Sequence, residues 1–155
     1  MARQFFKVNR SIWACAGYNG AMPHSLLIYN PAAGRVSARR FVYRAVNVLR
    51  DAGWSVRIVA TKSGTHATEL ARQAAAEGLE AVFAVGGDGT LGQVAAGLMN
   101  STTALGILPA GSTNVLALEM GLMPFEWYRP WAMEQNAALL AQGEILPMDL
   151  GLCNG

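Results

Sequence analysis

Residues Val85-Gly86-Gly87-Asp88-Gly89-Thr90 combine what chemistry on an anion requires. Adjacent glycines let the backbone turn tightly and approach a ligand with no Cβ in the way. The N–H groups of such a turn, and of a helix starting after it, are free to face negative charge. Asp88 puts a carboxylate in the same turn. A carboxylate beside a phosphate is repulsive unless a metal ion or a hydroxyl lies between them, so the turn reads as a nucleotide site with Mg²⁺. A second turn, Pro109-Ala110-Gly111-Ser112-Thr113-Asn114, has the same small and polar makeup.

The elements that position these turns follow from hydrophobic period and glycine punctuation. Leu26-Leu27-Ile28-Tyr29 reads as a buried strand ending in the loop Asn30-Pro31-Ala32-Ala33-Gly34. Ser37 is a candidate cap for a helix over 38–52, with Phe41, Val42, Ala45, Val46 and Leu49 at helical spacing and Gly53 as the stop. A strand over 54–60 leads into the loop 61–64. A helix capped by Thr65 or Ser63 then runs to 77, and Gly78 ends it. Residues 81–85 form a strand into the glycine turn, with a helix over 91–99 behind it. A strand over 104–108, a short helix over 114–120, a helix over 127–142 and a strand over 144–150 complete the pattern.

Strands alternating with helices specify an α/β fold: an open, Rossmann-like parallel sheet with helices on both faces. Ligands of such sheets sit at the carboxyl ends of the strands. The loops at 30–34, 61–64, 86–90 and 111–114 all fall on that edge, and each is rich in Gly, Ser, Thr or Asn. Four such loops together point to a phosphate-and-ribose site rather than to four unrelated turns.

The chain has 155 residues, 52% hydrophobic and 14% charged, with a net charge of +2. This is a globular composition with no general case for nucleic-acid binding, and no apolar run reaches the ~18 residues of a membrane span. Charge is nevertheless uneven. Eight of the twelve basic residues lie within 1–50, which holds no Asp or Glu. Arg35, Arg39 and Arg40 among them are placed to face phosphate or an anionic membrane, or simply solvent. Cys15 and Cys153 have no metal-type spacing and read as reduced thiols of a cytoplasmic protein, and His24 and His66 cannot build a histidine metal site. Residues 1–22 fit none of the periodic pattern. They are expected to be a poorly ordered or non-native extension, with Met22 as the alternative start, ahead of a lobe over 23–150.

The ordered set Asn30-Pro31-Ala32-Ala33-Gly34, Thr61 with Gly64-Thr65-His66-Ala67, Gly86-Gly87-Asp88-Gly89-Thr90, Leu108 to Asn114 and Asp149-Leu150-Gly151 resembles the diacylglycerol kinase catalytic domain family, which includes soluble bacterial lipid kinases and sphingosine kinases and is related to NAD kinases. The resemblance implies an ATP-dependent lipid kinase using ATP and Mg²⁺. It implies that Asn30, Pro31, Ala32, Ala33 and Gly34, with Gly86, Gly87, Asp88, Gly89, Thr90, Leu91 and Gly92, contact the phosphates and ribose. Thr61 would lie against the nucleotide and Ser112 on a phosphate. Asp88 and Asp149 would organise Mg²⁺ and water indirectly. The acceptor would be a diacylglycerol or sphingoid-type lipid at a membrane surface, reached from the inner face by a cytoplasmic protein.

Two departures bear on the metal. Gly92 and Gln93 stand where the family usually has Asn and Glu, and Val115 where it often has Asp. The family's β-rich C-terminal domain, which carries the acceptor surface and the proposed general base, is absent from the 155 residues; 151–155 read as its beginning. The lobe is therefore expected to bind nucleotide and to be inactive alone, and its apolar surface to favour oligomerisation. The alternatives are an NAD-kinase-like or other small-molecule kinase, and a non-catalytic nucleotide-binding fragment.

Overall fold

The computed structural model describes residues 2–8, 22–32, 39–126 and 128–150. The elements in chain order are β1 (Ala2–Val8), β2 (His24–Tyr29), α1 (Arg39–Asp51), β3 (Ser55–Ala60), α2 (His66–Ala76), β4 (Ala81–Gly86), α3 (Asp88–Leu98), β5 (Ala104–Pro109), α4 (Val115–Glu119), α5 (Ala132–Ala141) and β6 (Glu144–Leu150). They build one sheet of order β3-β2-β4-β5-β1-β6. The first four strands in that order are mutually parallel, β1 continues parallel to β5, and β6 closes the edge antiparallel to β1.

The central strands are apolar on both faces because both faces are covered. Leu26, Ile28, Val82, Ala84, Leu105 and Ile107 point to the side of α2, α3 and α4. Their alternating neighbours Leu27, Tyr29, Phe83, Val85, Ala104 and Leu108 point to α1 and α5. At about 1.5–3 kcal/mol for each fully buried large side chain, this double core dominates the stability. The five apolar positions read along α1 are all buried, and Gly53 and Gly78 end α1 and α2 with φ of +91° and +73°. Trp54 closes the α1 side, meeting Phe83 edge-on at a centroid distance of 5.4 Å.

Several expectations change. Helix α3 starts at Asp88 rather than 91, so the carboxylate stands in its first turn. Helix α5 starts at 132 rather than 127. Thr65 holds the position before α2, but its hydroxyl makes no capping bond. Ser37 lies outside the described residues. The largest correction is β1. Ala2–Val8 falls in the segment expected to be a loose extension, yet it pairs with β6 along its whole length and with β5 at Phe6–Leu105. Phe5, Phe6 and Val8 are the β-forming residues for this, but Gln4 and Lys7 leave no clean alternation with them. Residues 9–21 and 151–155 lie outside the described residues.

This topology fixes where a ligand can sit. From β2 the chain passes to β3 on one side, then crosses to β4 on the other. The loops leaving β2 and β4 therefore run to helices on opposite faces, α1 and α3, and a crevice opens between them at the carboxyl edge.

Candidate functional site

A cleft of about 750 Å³ occupies that crevice, and four loops line it. From β2 come Asn30, Pro31 and Ala32. Asn30 accepts a bond from the Ala32 N–H at 2.9 Å, an Asx turn. The Asn30 N–H donates to the Val85 carbonyl at 3.2 Å, tying the ends of β2 and β4. Ala33 and Gly34 lie outside the described residues. From β3 come Thr61, Lys62, Ser63 and Gly64. The Thr61 N–H extends the ladder to the Tyr29 carbonyl at 2.9 Å, and the Lys62 N–H donates to His66 Nδ1 at 3.1 Å. His66 thus ties the β3–α2 loop to the first turn of α2.

From β4 and the start of α3 come Gly87, Asp88, Gly89, Thr90 and Gln93. The N–H groups of the first helical turn have no partner inside the helix, so α3 offers donors and the positive end of its dipole to the cleft. From β5 come Gly111, Ser112 and Thr113. The two glycine turns meet backbone to backbone: a Cβ on Gly87 would lie 3.3 Å from the Gly111 Cα, and one on Gly111 would collide with the Gly87 Cα. That contact brings the start of α3 and the fourth loop to one wall.

Not every expected residue lines the cleft. Gly86 is buried behind it, where a Cβ would come within 2.7 Å of Thr90 Cβ and Oγ1. Leu91 is packed in the core, and Gly92 is exposed along α3 with open space around it. Asp149 is a correction. It lies in β6 opposite Arg3, and Phe6 is level with Leu105 near the start of β5, so Asp149 sits at the amino-end edge of the sheet, away from the cleft. An antiparallel last strand carries its end back to that edge.

Two residues outside the expected set stand out. Lys62 is the single basic residue in the four loops, which was the signal available for it. Asn114 is 3% exposed and left-handed at φ 54°, ψ 50°. Its Nδ2 donates to the Gly111 carbonyl at 2.6 Å and its Oδ1 accepts from the Gly111 N–H at 3.1 Å. Asn tolerates the left-handed region better than other non-glycine residues, and here it locks the fourth loop.

The cleft fits a polyphosphate better than a flat apolar ligand. None of its lining residues is aromatic, and its charged side chains are Lys62 and Asp88. A protein-built metal cage does not fit: among the described residues no three His, Cys, Asp or Glu side chains gather. One carboxylate at a phosphate site does fit Mg²⁺ that arrives with the phosphates, since Mg²⁺ commonly takes one or two carboxylates and fills its shell with phosphate and water.

Comparison with known proteins gives a consistent picture. The family model for the diacylglycerol kinase catalytic domain matches residues 24–153. A diacylglycerol kinase of Bacillus subtilis is 31% identical over 136 residues, covering 86% of this chain and 43% of that protein. A probable lipid kinase, YegS-like, of Yersinia enterocolitica is 32% identical over 137 residues, with the same two shares. Among solved structures, a diacylglycerol kinase from Bacillus anthracis superposes with a TM-score of 0.62 at 26% identity, over 81% of this chain and 42% of that one. The chain thus spans less than half the length of the curated relatives it matches.

Proposed function

The chain belongs to the diacylglycerol kinase catalytic domain family, and on that premise we propose that its cleft holds the phosphates of ATP for transfer to a lipid hydroxyl, that of a diacylglycerol or sphingoid-type lipid, by the whole protein. The observation that carries this is the Gly87–Gly111 contact at the switch point. It brings the start of α3 against the fourth loop with no Cβ between them, in a cleft that Lys62 also lines.

The residues divide the work. The amides of the α3 start and of the fourth loop solvate phosphate oxygens. Lys62 contributes a mobile positive charge. Asn30 and Asn114 hold their loops in register. Mg²⁺, when bound with the nucleotide, neutralises charge on the transferring phosphoryl group. Asp88 is the carboxylate that would hold it, directly or through water, and without a cation its charge opposes ATP. Phosphoryl transfer needs positioning and electrostatic stabilisation above all. It also needs a group that orients the acceptor hydroxyl, and the described cleft offers Asp88 as its one carboxylate. The 155-residue chain by itself is expected to bind Mg·ATP with little or no turnover.

Thermal unfolding of the purified chain tests the site. Binding to the folded state alone raises stability by about 2.7 kcal/mol at a hundredfold excess over Kd. ATP and tripolyphosphate both raise the midpoint and adenosine does not. Lys62→Ala weakens ATP with or without Mg²⁺, whereas Asp88→Ala removes the Mg²⁺-dependent increment and strengthens metal-free ATP. An equal shift from adenosine and ATP overturns the phosphate-cradle reading. Incubation with labelled ATP, Mg²⁺ and dispersed lipid tests the rest: lipid phosphorylation at an ordinary kinase rate overturns the expectation that the chain alone is inactive.

A further inference from the structure

Outside the cleft, one surface combines arginine with exposed aromatic side chains. On α1, Arg39, Arg40, Tyr43 and Arg44 all face solvent, Tyr43 with 45% of its surface exposed. On the turn before α5, Tyr128 is 50% and Trp131 49% exposed, and the Arg129 guanidinium lies 5.5 Å from the centre of the Tyr128 ring. The two groups are neighbours. Phe41 packs on Phe125 at 5.0 Å between ring centres. Arg44 pairs with Glu134, one turn after Trp131. At the far ends, Trp54 Nε1, just past α1, donates to the Ala141 carbonyl at the end of α5. The helices therefore run parallel, with α1 reaching about one turn further at its amino end. Both amino ends lie at the carboxyl edge of the sheet, because α1 follows β2. The surface thus shares an edge with the cleft.

Burying Trp and Tyr on this side would be ordinary, since α1 and α5 already bury Phe41 and Met133 there. Exposing them beside arginines is the pattern of a bilayer interface, where the rings settle at headgroup level and the guanidinium groups meet lipid phosphate. The charge has the matching sign: Arg39, Arg40, Arg44 and Arg129 stand against Glu126 and Glu134, and residues 39–50 hold no acid.

We propose that the Arg39–Arg40–Tyr43 face of α1, together with Tyr128, Arg129 and Trp131, is a docking surface for an anionic lipid bilayer, which turns the edge holding the cleft toward the membrane. The purpose assigned to it rests on the lipid-kinase reading; the binding itself does not.

Co-sedimentation of the full chain with vesicles tests it. The chain binds phosphatidylglycerol-containing vesicles and leaves phosphatidylcholine vesicles unbound, and salt releases it. Each arginine removed lowers partition about fivefold, so R39A/R40A loses at least tenfold. Y128S/W131S loses binding as well. V115S/L118S, which alters the exposed apolar pair of α4, leaves it unchanged. Circular dichroism checks that each variant is folded. No vesicle binding, equal binding to both vesicle types, or equal losses from V115S/L118S and the patch variants overturn the proposal. So does a dimer that the patch variants dissolve without any vesicle dependence. The ATP-induced thermal shift in the same variants separates the two readings: a patch variant that still responds to ATP but not to vesicles supports both. A wild-type chain that binds vesicles and ignores ATP sinks the nucleotide reading alone.

Discussion

At the scale of single residues, the site depends on two glycines that are not equivalent. A methyl on Gly111 runs into the Gly87 Cα and lies 3.1 Å from Asn114 Oδ1, and backbone cannot move aside as a side chain can. A methyl on Gly87 meets its neighbour at 3.3 Å, a gap that a small adjustment relieves. Gly111→Ala is expected to cost about 1–3 kcal/mol in urea unfolding, as overpacking does, and to weaken ATP binding in parallel; Gly87→Ala costs less than half as much. Asn114 permits a sharper comparison. Asn114→Ala loses both bonds to Gly111 and places a Cβ-only residue at positive φ, at a cost of about 2–4 kcal/mol. Asn114→Asp keeps the acceptor for the Gly111 N–H but turns a buried carboxylate oxygen on the Gly111 carbonyl. It should be at least as destabilised as Asn114→Ala above the carboxylate range and recover when acid protonates it; equal stability of Asn114→Asp and wild type removes the latch. The types of these residues were visible in the sequence and their partners were not. Nothing local to Gly87 says that Gly111 lies against it, because that contact is made by two loops brought together only by the sheet.

At the scale of elements, α3 carries two glycines whose substitutions should have opposite signs. Gly92 is exposed and a Cβ there meets nothing within 4 Å. Gly92→Ala therefore gains about 0.5–1 kcal/mol from helix propensity. At Gly97 a Cβ would collide with the Thr68 carbonyl of α2 and lie 2.7 Å from Ala71 Cβ. The propensity gain of about 1 kcal/mol is outweighed by separating two helices, and Gly97→Ala destabilises by about 1–3 kcal/mol. Melting both variants decides this, and ATP titration of Gly92→Ala also decides whether Gly92 touches nucleotide as the family resemblance implied. A pH effect belongs to the β3–α2 connection. Glu77 accepts bonds from Arg57 at 2.7 Å and from Gln73 at 2.8 Å, which hold its carboxyl below the ordinary 4.5, Arg57 contributing most. A lowered folded value means that this small stabilisation is complete above 4.5 and is lost as pH falls through the folded value. Arg57→Ala should flatten that part of the acid unfolding curve; an unchanged curve shows that the exposed pair contributes nothing. Helix cores were legible from period alone, as in α1. Helix starts were not: α3 begins at Asp88 because the glycine turn is itself helical from that residue on, and no side-chain cap marks its start.

At the scale of the whole molecule, four polar loops at strand ends were enough to place the cleft, because a parallel sheet puts every carboxyl end on one edge. The order of strands was not available in the same way. Pairing between Ala2–Val8 and Glu144–Leu150 joins the two ends of the chain, and no local pattern encodes it. For the same reason neither the strand at 2–8 nor the edge on which Asp149 lies is legible from the sequence. The pairing is testable through the alternative start at Met22. Seven residue pairs link β1 to β6, and one links β1 to β5. Cross-strand pairs contribute about 0.2–1 kcal/mol each, so their loss is a sizeable fraction of a domain's ~5–15 kcal/mol. It also leaves the β5 edge, with Ala104 and Leu105, open to other chains. A chain beginning at Met22 should melt at lower temperature, self-associate, and exchange its β5 amides faster, while the amides of β2, held between β3 and β4, keep their rank as the slowest. If the shortened chain matches the full one in melting temperature and in exchange at 104–109, β1 contributes nothing to the sheet. The cleft lies on the other side of β5, against β4. ATP binding should survive the deletion wherever the shortened chain still folds.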